Sequence, residues 1–248
     1  MIRTVHLTKN FDGLLAVNDL SLEIARGEIF AFLGPNGAGK TTTIKLLTGL
    51  LRPTIGRVLI GGQDIQHDHI AAKRIIGYIP DRPYLYEKLT GWEFLHFIGD
   101  LYEIPHQDQQ QRAEELLDLF SLTDTADRLI EDYSHGMRQK LVMAASFLHH
   151  PEVIIIDEPM VGLDPRSARI VKNVLRKQVH QGKTVFLSTH TLSVAEELAH
   201  RIGIIQQGRL RFLGNMSDLR ERQRSDGDLE DLFLKLTEDE DTGSEGEA

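Results

Sequence analysis

The stretch "IFAFLGPNGAGKTTTIKLL", residues 29–47, decides the fold. Its first five residues are apolar and run directly into glycines, which predicts a short buried strand ending in a turn. The threonine-rich segment after the turn predicts the first turn of a helix. A strand, a glycine-rich turn and a helix in this order form a setting in which phosphate groups are bound at a helix amino terminus.

Within this stretch, "GPNGAGKT" at residues 34–41 fits the phosphate-loop pattern of glycine, four residues, glycine, lysine and serine or threonine. The glycines allow backbone N–H groups to turn inward and surround phosphates. Lys40 supplies a positive charge for the β and γ phosphates, and Thr41 offers a hydroxyl to Mg²⁺. A glycine-rich turn without a ligand is the alternative, and the flanking strand and helix disfavour it.

Two further apolar runs end in polar residues that suit this chemistry. "VIIIDEP" at 153–159 ends in Asp157 and Glu158, and "TVFLSTH" at 184–190 ends in His190. Open parallel sheets bind ligands at the carboxyl ends of their strands. There Asp157 can hold Mg²⁺, Glu158 can polarise an attacking water, and His190 can contact a γ-phosphate or the carboxylate. Each signal alone is weak, because acids after a strand usually cap a turn and a lone histidine is usually structural.

The wider pattern predicts an α/β fold with a P-loop NTPase core and a parallel sheet covered on both faces, because short apolar strands alternate with helical stretches. Residues 91–150 are predicted to be almost entirely helical and to form an inserted lobe. Residues 4–28 alternate apolar and polar positions around turns, which predicts a small amino-terminal antiparallel sheet. We therefore expect one nucleotide-binding domain over residues 1–220 and an extension over residues 221–248.

The extension carries the charge of the chain. The formal net charge is −9, and residues 226–248 hold ten acidic residues and one lysine, which is also −9. A neutral body argues against a nucleic-acid-binding surface. Leu229, Leu232, Phe233 and Leu236 are spaced as on one face of a helix, so a short amphipathic helix is expected there. The acidic end after it, "TEDEDTGSEGEA", is expected to be disordered.

Cysteine and long apolar segments are both absent from the sequence. The lack of cysteine excludes disulfides and thiolate zinc sites. No stretch reaches the roughly 18 uncharged apolar residues that a membrane-spanning helix needs. The sequence thus predicts a soluble chain, and any role at a membrane would need a partner protein.

A second anion-binding position is suggested by "YSHGMRQK", residues 133–140. Apolar residues recur at helical spacing from Met137 to Leu148, which predicts an amphipathic helix over 136–149 that starts near Ser134 and Gly136. The free N–H groups and the dipole of such a helix end attract phosphate. Ordinary helix capping by Ser134 is the alternative.

These motifs, in this order, resemble the ATP-binding subunits of ABC transporters over roughly residues 1–215. The resemblance implies Mg²⁺-dependent ATP hydrolysis in a head-to-tail dimer that holds ATP at its interface. It also implies separate integral membrane subunits, a second copy of the chain or a homologous subunit, no nucleic-acid partner, and a place at the cytoplasmic face of the cell membrane. The cytoplasmic helices of such a partner would dock on the helical lobe and on the segment around Asp81 to Tyr86.

The resemblance also assigns roles to individual residues. Phe11 matches the aromatic that stacks on adenine, Ser134 and Gly136 match the signature motif, and Asp164 in "GLDP" matches a loop that contacts the partner subunit. Asp157 matches the Mg²⁺ ligand, Glu158 the catalytic base and His190 the switch histidine. The phosphate-loop positions of the family match Gly34, Pro35, Asn36, Gly37, Ala38, Gly39, Lys40, Thr41 and Thr42.

The sequence departs from the family pattern at two places. Asp81 stands where the family usually has glutamine, and it could still reach Mg²⁺ or the attacking water while adding negative charge near the γ-phosphate. The signature has Tyr133, His135 and Met137 in place of leucine, glycine and glutamine. A signature of serine, any residue, glycine and methionine resembles the exporter branch that handles drugs, antibiotics or lipids.

Two other functions compete with the transporter hypothesis. A soluble ATPase of the same fold could act in DNA repair or translation, but repair members carry long coiled-coil or zinc-bearing inserts and translation members carry two nucleotide sites. This chain has one phosphate loop and no cysteine. A nucleotide-sensing module without turnover is the third possibility, and Glu158 argues against it.

Overall fold

A computed structural model describes residues 1–222 and residue 233. The strands are β1 (Ile2–Phe11), β2 (Leu14–Ile24), β3 (Ile29–Leu33), β4 (Ile55–Ile60), β5 (Gln63–Asp64), β6 (Ile76–Ile79), β7 (Val153–Asp157), β8 (Thr184–Thr189), β9 (Arg201–Gln206) and β10 (Arg209–Gly214). The helices are α1 (Lys40–Leu47), α2 (His69–Arg74), α3 (Gly91–Leu101), α4 (His106–Leu119), α5 (His135–Phe147), α6 (Pro165–His180), α7 (Leu192–Leu198) and α8 (Met216–Arg222).

The central sheet has six strands in the order β10-β9-β3-β8-β7-β6. All neighbours run parallel except β10, which is antiparallel to β9. Strands β3, β7 and β8 are buried along their whole length. In β3, Phe30 and Phe32 enter one apolar cluster while Ala31 and Leu33 enter another, because successive side chains point to opposite faces. This confirms the predicted parallel sheet covered on both faces.

A second sheet of four antiparallel strands, in the order β2-β1-β4-β5, covers the Phe30 side of the core. Its main pair, β1 and β2, lies in the region where the sequence predicts a small antiparallel sheet, and that prediction is confirmed. Strands β4 and β5 extend the sheet beyond the predicted region. The carboxyl end of β1 places Phe11 opposite Leu14.

The lobe packs on the other face of the central sheet. Helices α3, α4 and α5 share one buried cluster with β7 and α6, for example through Leu117, Leu141, Ile156 and Val171. Thr90 and Glu93 form a capping box that starts α3. The prediction of an almost entirely helical lobe was wrong for residues 120–134, which contain only two short 3-10 turns. Hydrogen bonds hold this segment instead, and in one of them Tyr133 Oη donates to the Thr125 carbonyl oxygen at 2.8 Å.

The predicted amphipathic helix of the extension and the acidic tail lie outside the described residues, apart from Phe233. Phe233 is helical and packs against the cluster that contains the lobe. Within residues 1–222 and residue 233, no helix combines the length and the apolar character that crossing a membrane requires.

Candidate nucleotide site

The phosphate loop connects β3 to α1 directly above the central sheet. Gly39 precedes α1 with φ of 108°, and a Cβ at this position would clash with the Ala16 carbonyl oxygen, so both conformation and space require glycine. Within the described chain, no side chain caps α1, and its first turn contains no acidic residue. The first N–H groups of α1 are therefore available to an anion, and the helix dipole favours one.

Lys40 is the first residue of α1 and is only 7% exposed. Its ammonium group donates to the carbonyl oxygens of Gly34 at 2.7 Å and Pro35 at 3.1 Å, and lies 3.9 Å from Glu158 Oε1. Burial lowers the Lys40 pKa, and the charges of Glu158 and Asp157 oppose that change. The loop thus holds a buried positive charge beside the free N–H groups of α1.

Asp157 ends β7 and is nearly fully buried. Thr41 Oγ1 donates to Asp157 Oδ2 at 3.0 Å, and Ser188 Oγ donates to Asp157 Oδ1. Ser188 lies opposite Asp157 in the register of β7 with β8, so the parallel pairing creates this contact. A hydroxyl and a carboxylate oxygen side by side are hard donors of the kind that Mg²⁺ prefers, so the pair fits that ion.

Glu158 follows β7 with φ of 51°, a left-handed conformation that is uncommon outside glycine. Its N–H donates to the Ser188 carbonyl at 3.2 Å, which holds the backbone to the sheet edge. Glu158 Oε1 lies 2.9 Å from His190 Nδ1, and the glutamate side chain is 14% exposed. The carboxylate therefore stands between a lysine and a histidine, at the rim of the phosphate loop.

A cavity of about 390 Å³ brings most of the predicted site residues together. Phe11, at the end of β1, and Asp81, which follows β6, both line it. The Phe11 side chain is 42% exposed, and the Lys9 ammonium lies 4.9 Å from the centre of its ring. Gly34, Ala38 and His190 are outside the lining. The lining residues are Phe11, Leu14, Ala16, Pro35, Asn36, Gly37, Gly39, Lys40, Thr41, Thr42, Asp81, Asp157 and Glu158.

Sequence reasoning missed three residues of this site. Leu14 and Ala16 reach the cavity from β2 because that strand returns beside Phe11. Leu14 is 70% exposed, and an apolar residue just after the turn that follows Phe11 is a usable signal. Ser188 carries a weaker signal, a hydroxyl in an otherwise apolar strand, and only the β7–β8 register makes it meaningful.

Ser134, Gly136 and Asp164 do not line the cavity of their own chain. Ser134 caps α5, which starts one residue and ends two residues earlier than predicted, and its Oγ accepts from Met137 N at 3.3 Å. Asp164 caps α6 and accepts from the N–H groups of Arg166 and Ser167 and from the Ser167 hydroxyl. These last bonds lower the Asp164 pKa, the Ser167 hydroxyl contributing most.

A groove of about 560 Å³ lies between the lobe and the central sheet. Its walls are mostly apolar and aromatic, and Tyr84, which is 87% exposed, stands at its edge. Burial raises the pKa of Tyr78 in this groove to about 12, and the negative charge of Asp157 adds to the effect. The remaining large lining residues include Leu50, Ile76, Pro80, Phe94, Ile98, Leu101, Tyr102 and His149.

Known proteins resemble this chain in sequence and in fold. The sequence family described as "ABC transporter" matches residues 17–161. A solved chain described as the ATP binding subunit of an ABC transporter is 32% identical, with a TM-score of 0.89, and the match covers 96% of this chain and 100% of that chain.

Two relatives are similar over most of the chain. The daunorubicin resistance ATP-binding protein of Streptomyces coeruleorubidus is 38% identical over 227 residues, which are 92% of this chain and 71% of the relative. An uncharacterised ABC transporter ATP-binding protein of Nostoc sp. is 43% identical over 208 residues, or 83% of this chain. The match spans 62% of the length of the Nostoc protein.

Proposed function

Because this chain belongs to the ABC transporter family, we propose that it is the ATP-hydrolysing subunit of a membrane exporter. The observation that carries the proposal is the convergence of Lys40, Asp157 and Glu158 on one cavity at the strand ends. Residues 1–220 form the ATP-binding domain in this proposal, with the lobe as part of it, and residues 221–248 form an extension.

The geometry of the site supports a different role in ATP hydrolysis for each of its residues. Lys40 and the N–H groups of the loop bind the phosphates, and Phe11 stacks on the adenine. Glu158 accepts the proton of the attacking water, and His190, 2.9 Å away, orients that carboxylate.

Mg²⁺ fits the site because Thr41 Oγ1 and Asp157 Oδ2 present adjacent hard oxygen donors. Those two residues would hold the ion, and Asp81 lines the same cavity as a third oxygen donor. When bound, Mg²⁺ would supply positive charge against the β and γ phosphates. Ser188 fixes the other oxygen of Asp157, so the carboxylate is already oriented before nucleotide arrives.

A second copy of the chain, or a homologous subunit, completes the site in this proposal. The amino terminus of α5 carries Ser134 and Gly136 away from the cavity of its own chain, where another subunit's γ-phosphate can reach it. Asp164 caps α6, and the preceding residue, Leu163, lies within 4 Å of a Cβ placed at Gly136. ATP contacted from both sides favours the closed dimer, and hydrolysis removes that contact.

The apolar groove supports docking of an integral membrane partner. Tyr84 lines the groove, Tyr86 and Phe97 are exposed as well, and the rings of Tyr86 and Phe97 pack edge-on with centres 5.2 Å apart. Contiguous exposed apolar patches of this kind mark protein-binding sites. Docking there would place the chain at the cytoplasmic face of the membrane, and the drug-resistance relative supports export as the direction of transport.

Replacing Glu158 with glutamine tests the catalytic assignment. Glutamine keeps the size of the side chain but cannot accept a proton, so we expect Mg-ATP binding to persist while turnover falls by about 10²- to 10⁴-fold and an ATP-bound dimer accumulates. Phosphate release and size-exclusion chromatography measure the two effects. Glu114→Gln, an exposed change on α4, is the matched control. Unchanged turnover in Glu158→Gln would overturn the assignment.

Purification from native cells tests the choice between transporter and soluble ATPase. We expect the chain to be recovered with a membrane protein of several spans in detergent extracts. Recovery with ribosomes or DNA, and never with membranes, would favour translation or DNA repair instead.

A further inference from the structure

The start of α5 and the loop after Glu158 touch each other within one chain. The loop consists of residues 159–163, between Glu158 and Asp164, and is called the 159–163 loop below. A Cβ at Gly162 would overlap His135 Cδ2 and would lie 2.5 Å from His135 Nε2. The imidazole ring of the exposed His135 side chain therefore lies against the Gly162 backbone and, in this conformation, occupies the space of a Cβ.

The 159–163 loop is held by packing rather than by side-chain hydrogen bonds, with Met160 and Leu163 against the core cluster. Its sequence, "PMVGL", has no polar side chain. Its internal backbone bonds are long, with Val161 N to Glu158 O at 3.3 Å and Leu163 N to Met160 O at 3.4 Å. Typical N–H···O bonds are about 2.9–3.0 Å. The position of the loop thus depends on what packs against it.

Both ends of the loop are fixed to functional positions. At one end Glu158 is bonded to the sheet through Ser188 O, and at the other Asp164 caps α6. A displacement of Gly162 is therefore passed to the backbone that carries the Glu158 carboxylate, because only three residues separate them.

Helix capping does not explain the His135 side chain. Ser134 already supplies the cap, and any residue at the first helical position would leave that bond intact. The ABC signature that this chain resembles commonly has glycine at the position of His135, which has no side chain to contact Gly162. The ring is thus an addition that reaches from the signature helix to the 159–163 loop.

We propose that His135 is a positioning residue that couples the amino terminus of α5 to Glu158 in the same chain. The proposal rests on the proposed function, in which α5 contacts the other subunit's ATP and Glu158 serves the chain's own ATP. When α5 closes on the partner's nucleotide, the His135 ring holds Gly162 in place and so sets the Glu158 backbone. Each subunit then reaches full activity only when its α5 is engaged.

A double-mutant cycle tests this coupling in the full chain. Gly162→Ala adds a methyl group where the ring lies, His135→Ala removes the ring, and the double variant gives the methyl group the space that the ring left. Gly162 has φ of 75°, so alanine is strained there in both backgrounds and this strain cancels in the comparison. Gly182→Ala is the matched control, because Gly182 has φ of 83° and nothing within 4 Å of a Cβ.

We expect Gly162→Ala to lower kcat for ATP hydrolysis about tenfold with His135 present and less than twofold with His135→Ala, with KM for ATP within about twofold throughout. The control variant should keep the wild-type kcat. Equal fold-effects of Gly162→Ala in the two backgrounds would overturn the coupling while leaving the ATPase intact. A wild-type chain that binds ATP but does not hydrolyse it would instead overturn the proposed function.

Discussion

His149 makes the stability of this protein sensitive to acid. Its ring stacks on Tyr102 at 3.8 Å, and its Nε2 lies 2.9 Å from the Ile76 carbonyl oxygen. Nδ1 is buried and has no hydrogen-bond partner among the described residues. The geometry therefore requires the neutral ring with its proton on Nε2, which donates to Ile76. Protonation would place a charge at Nδ1 where nothing accepts a hydrogen bond.

The cost of protonating His149 follows from its pKa. Burial lowers the pKa from 6.5 to about 4, the Ile76 carbonyl opposes the change, and Lys183, His150 and Arg112 add repulsion. The unfolded chain therefore binds more protons than the folded chain between these pH values, so stability is lost as pH falls. At about 1.4 kcal/mol per pKa unit, about 2.5 kcal/mol is lost by about pH 4.5.

The variant His149→Gln isolates this effect. Glutamine can still donate an N–H to the Ile76 carbonyl, but it cannot take up a proton in this pH range. At about pH 7.5 the variant should be less stable than wild type by about 1 kcal/mol, because it loses the stack on Tyr102. As pH falls to about 4.5, the free energy of unfolding of the wild type decreases until the variant is the more stable protein by about 1.5 kcal/mol.

Urea denaturation at a series of pH values measures the difference in free energy of unfolding between the two proteins. All other titrating groups are common to both proteins and cancel in that difference. His67→Gln, an exposed substitution, serves as the control for replacing a histidine with glutamine. Parallel pH curves for wild type and His149→Gln would refute the reasoning.

Two other substitutions test the binding surfaces of the site. Ser134→Arg places a long side chain at the amino terminus of α5, so nucleotide should still bind in an equilibrium titration while dimerisation and turnover fail; normal turnover would mean that this helix end is only structural. Asp81→Gln removes one of three carboxylates from a cavity that holds one lysine. Without Mg²⁺, fluorescence titration should show ATP binding about fivefold tighter in Asp81→Gln, corresponding to about 1 kcal/mol of relieved repulsion; unchanged affinity would show that Asp81 does not face the phosphates.

The phosphate side of the site was predictable because its signals are local. The loop at residues 34–41 lies within one strand-turn-helix unit, and the strands that end at Asp157 and Thr189 read directly as apolar runs. Parallel strands bring their carboxyl ends to one edge, so three separate segments converge without any knowledge of register. The family relationship inferred from those motifs is confirmed by the matching sequence family and solved chain.

The remaining contacts depend on pairing that no short stretch encodes. Ser188 meets Asp157 only because β7 and β8 pair in one register, and a shift of one residue would turn its side chain to the other face. His135 and Gly162 are in contact although they lie 27 positions apart in the sequence. No residue of the 159–163 loop by itself indicates this contact. The sequence also did not reveal the irregular course of residues 120–134, because the apolar residues of this segment are buried in the same way as those of a helix.

The packing of the buried clusters explains why the proposed coupling between α5 and Glu158 would act through a loop. Leu141 and Ala144 of α5 share one cluster with Ile154 and Ile156 of β7, whose end carries Asp157. Packed interiors resist continuous deformation, so α5 cannot slide on the sheet without repacking that cluster. In the proposed dimer, a response to the partner's nucleotide would therefore be a motion of the whole subunit or a local shift at the start of α5. The 159–163 loop touches this helix end and has long internal backbone hydrogen bonds, so a small shift of the helix end would reach Glu158 through the loop.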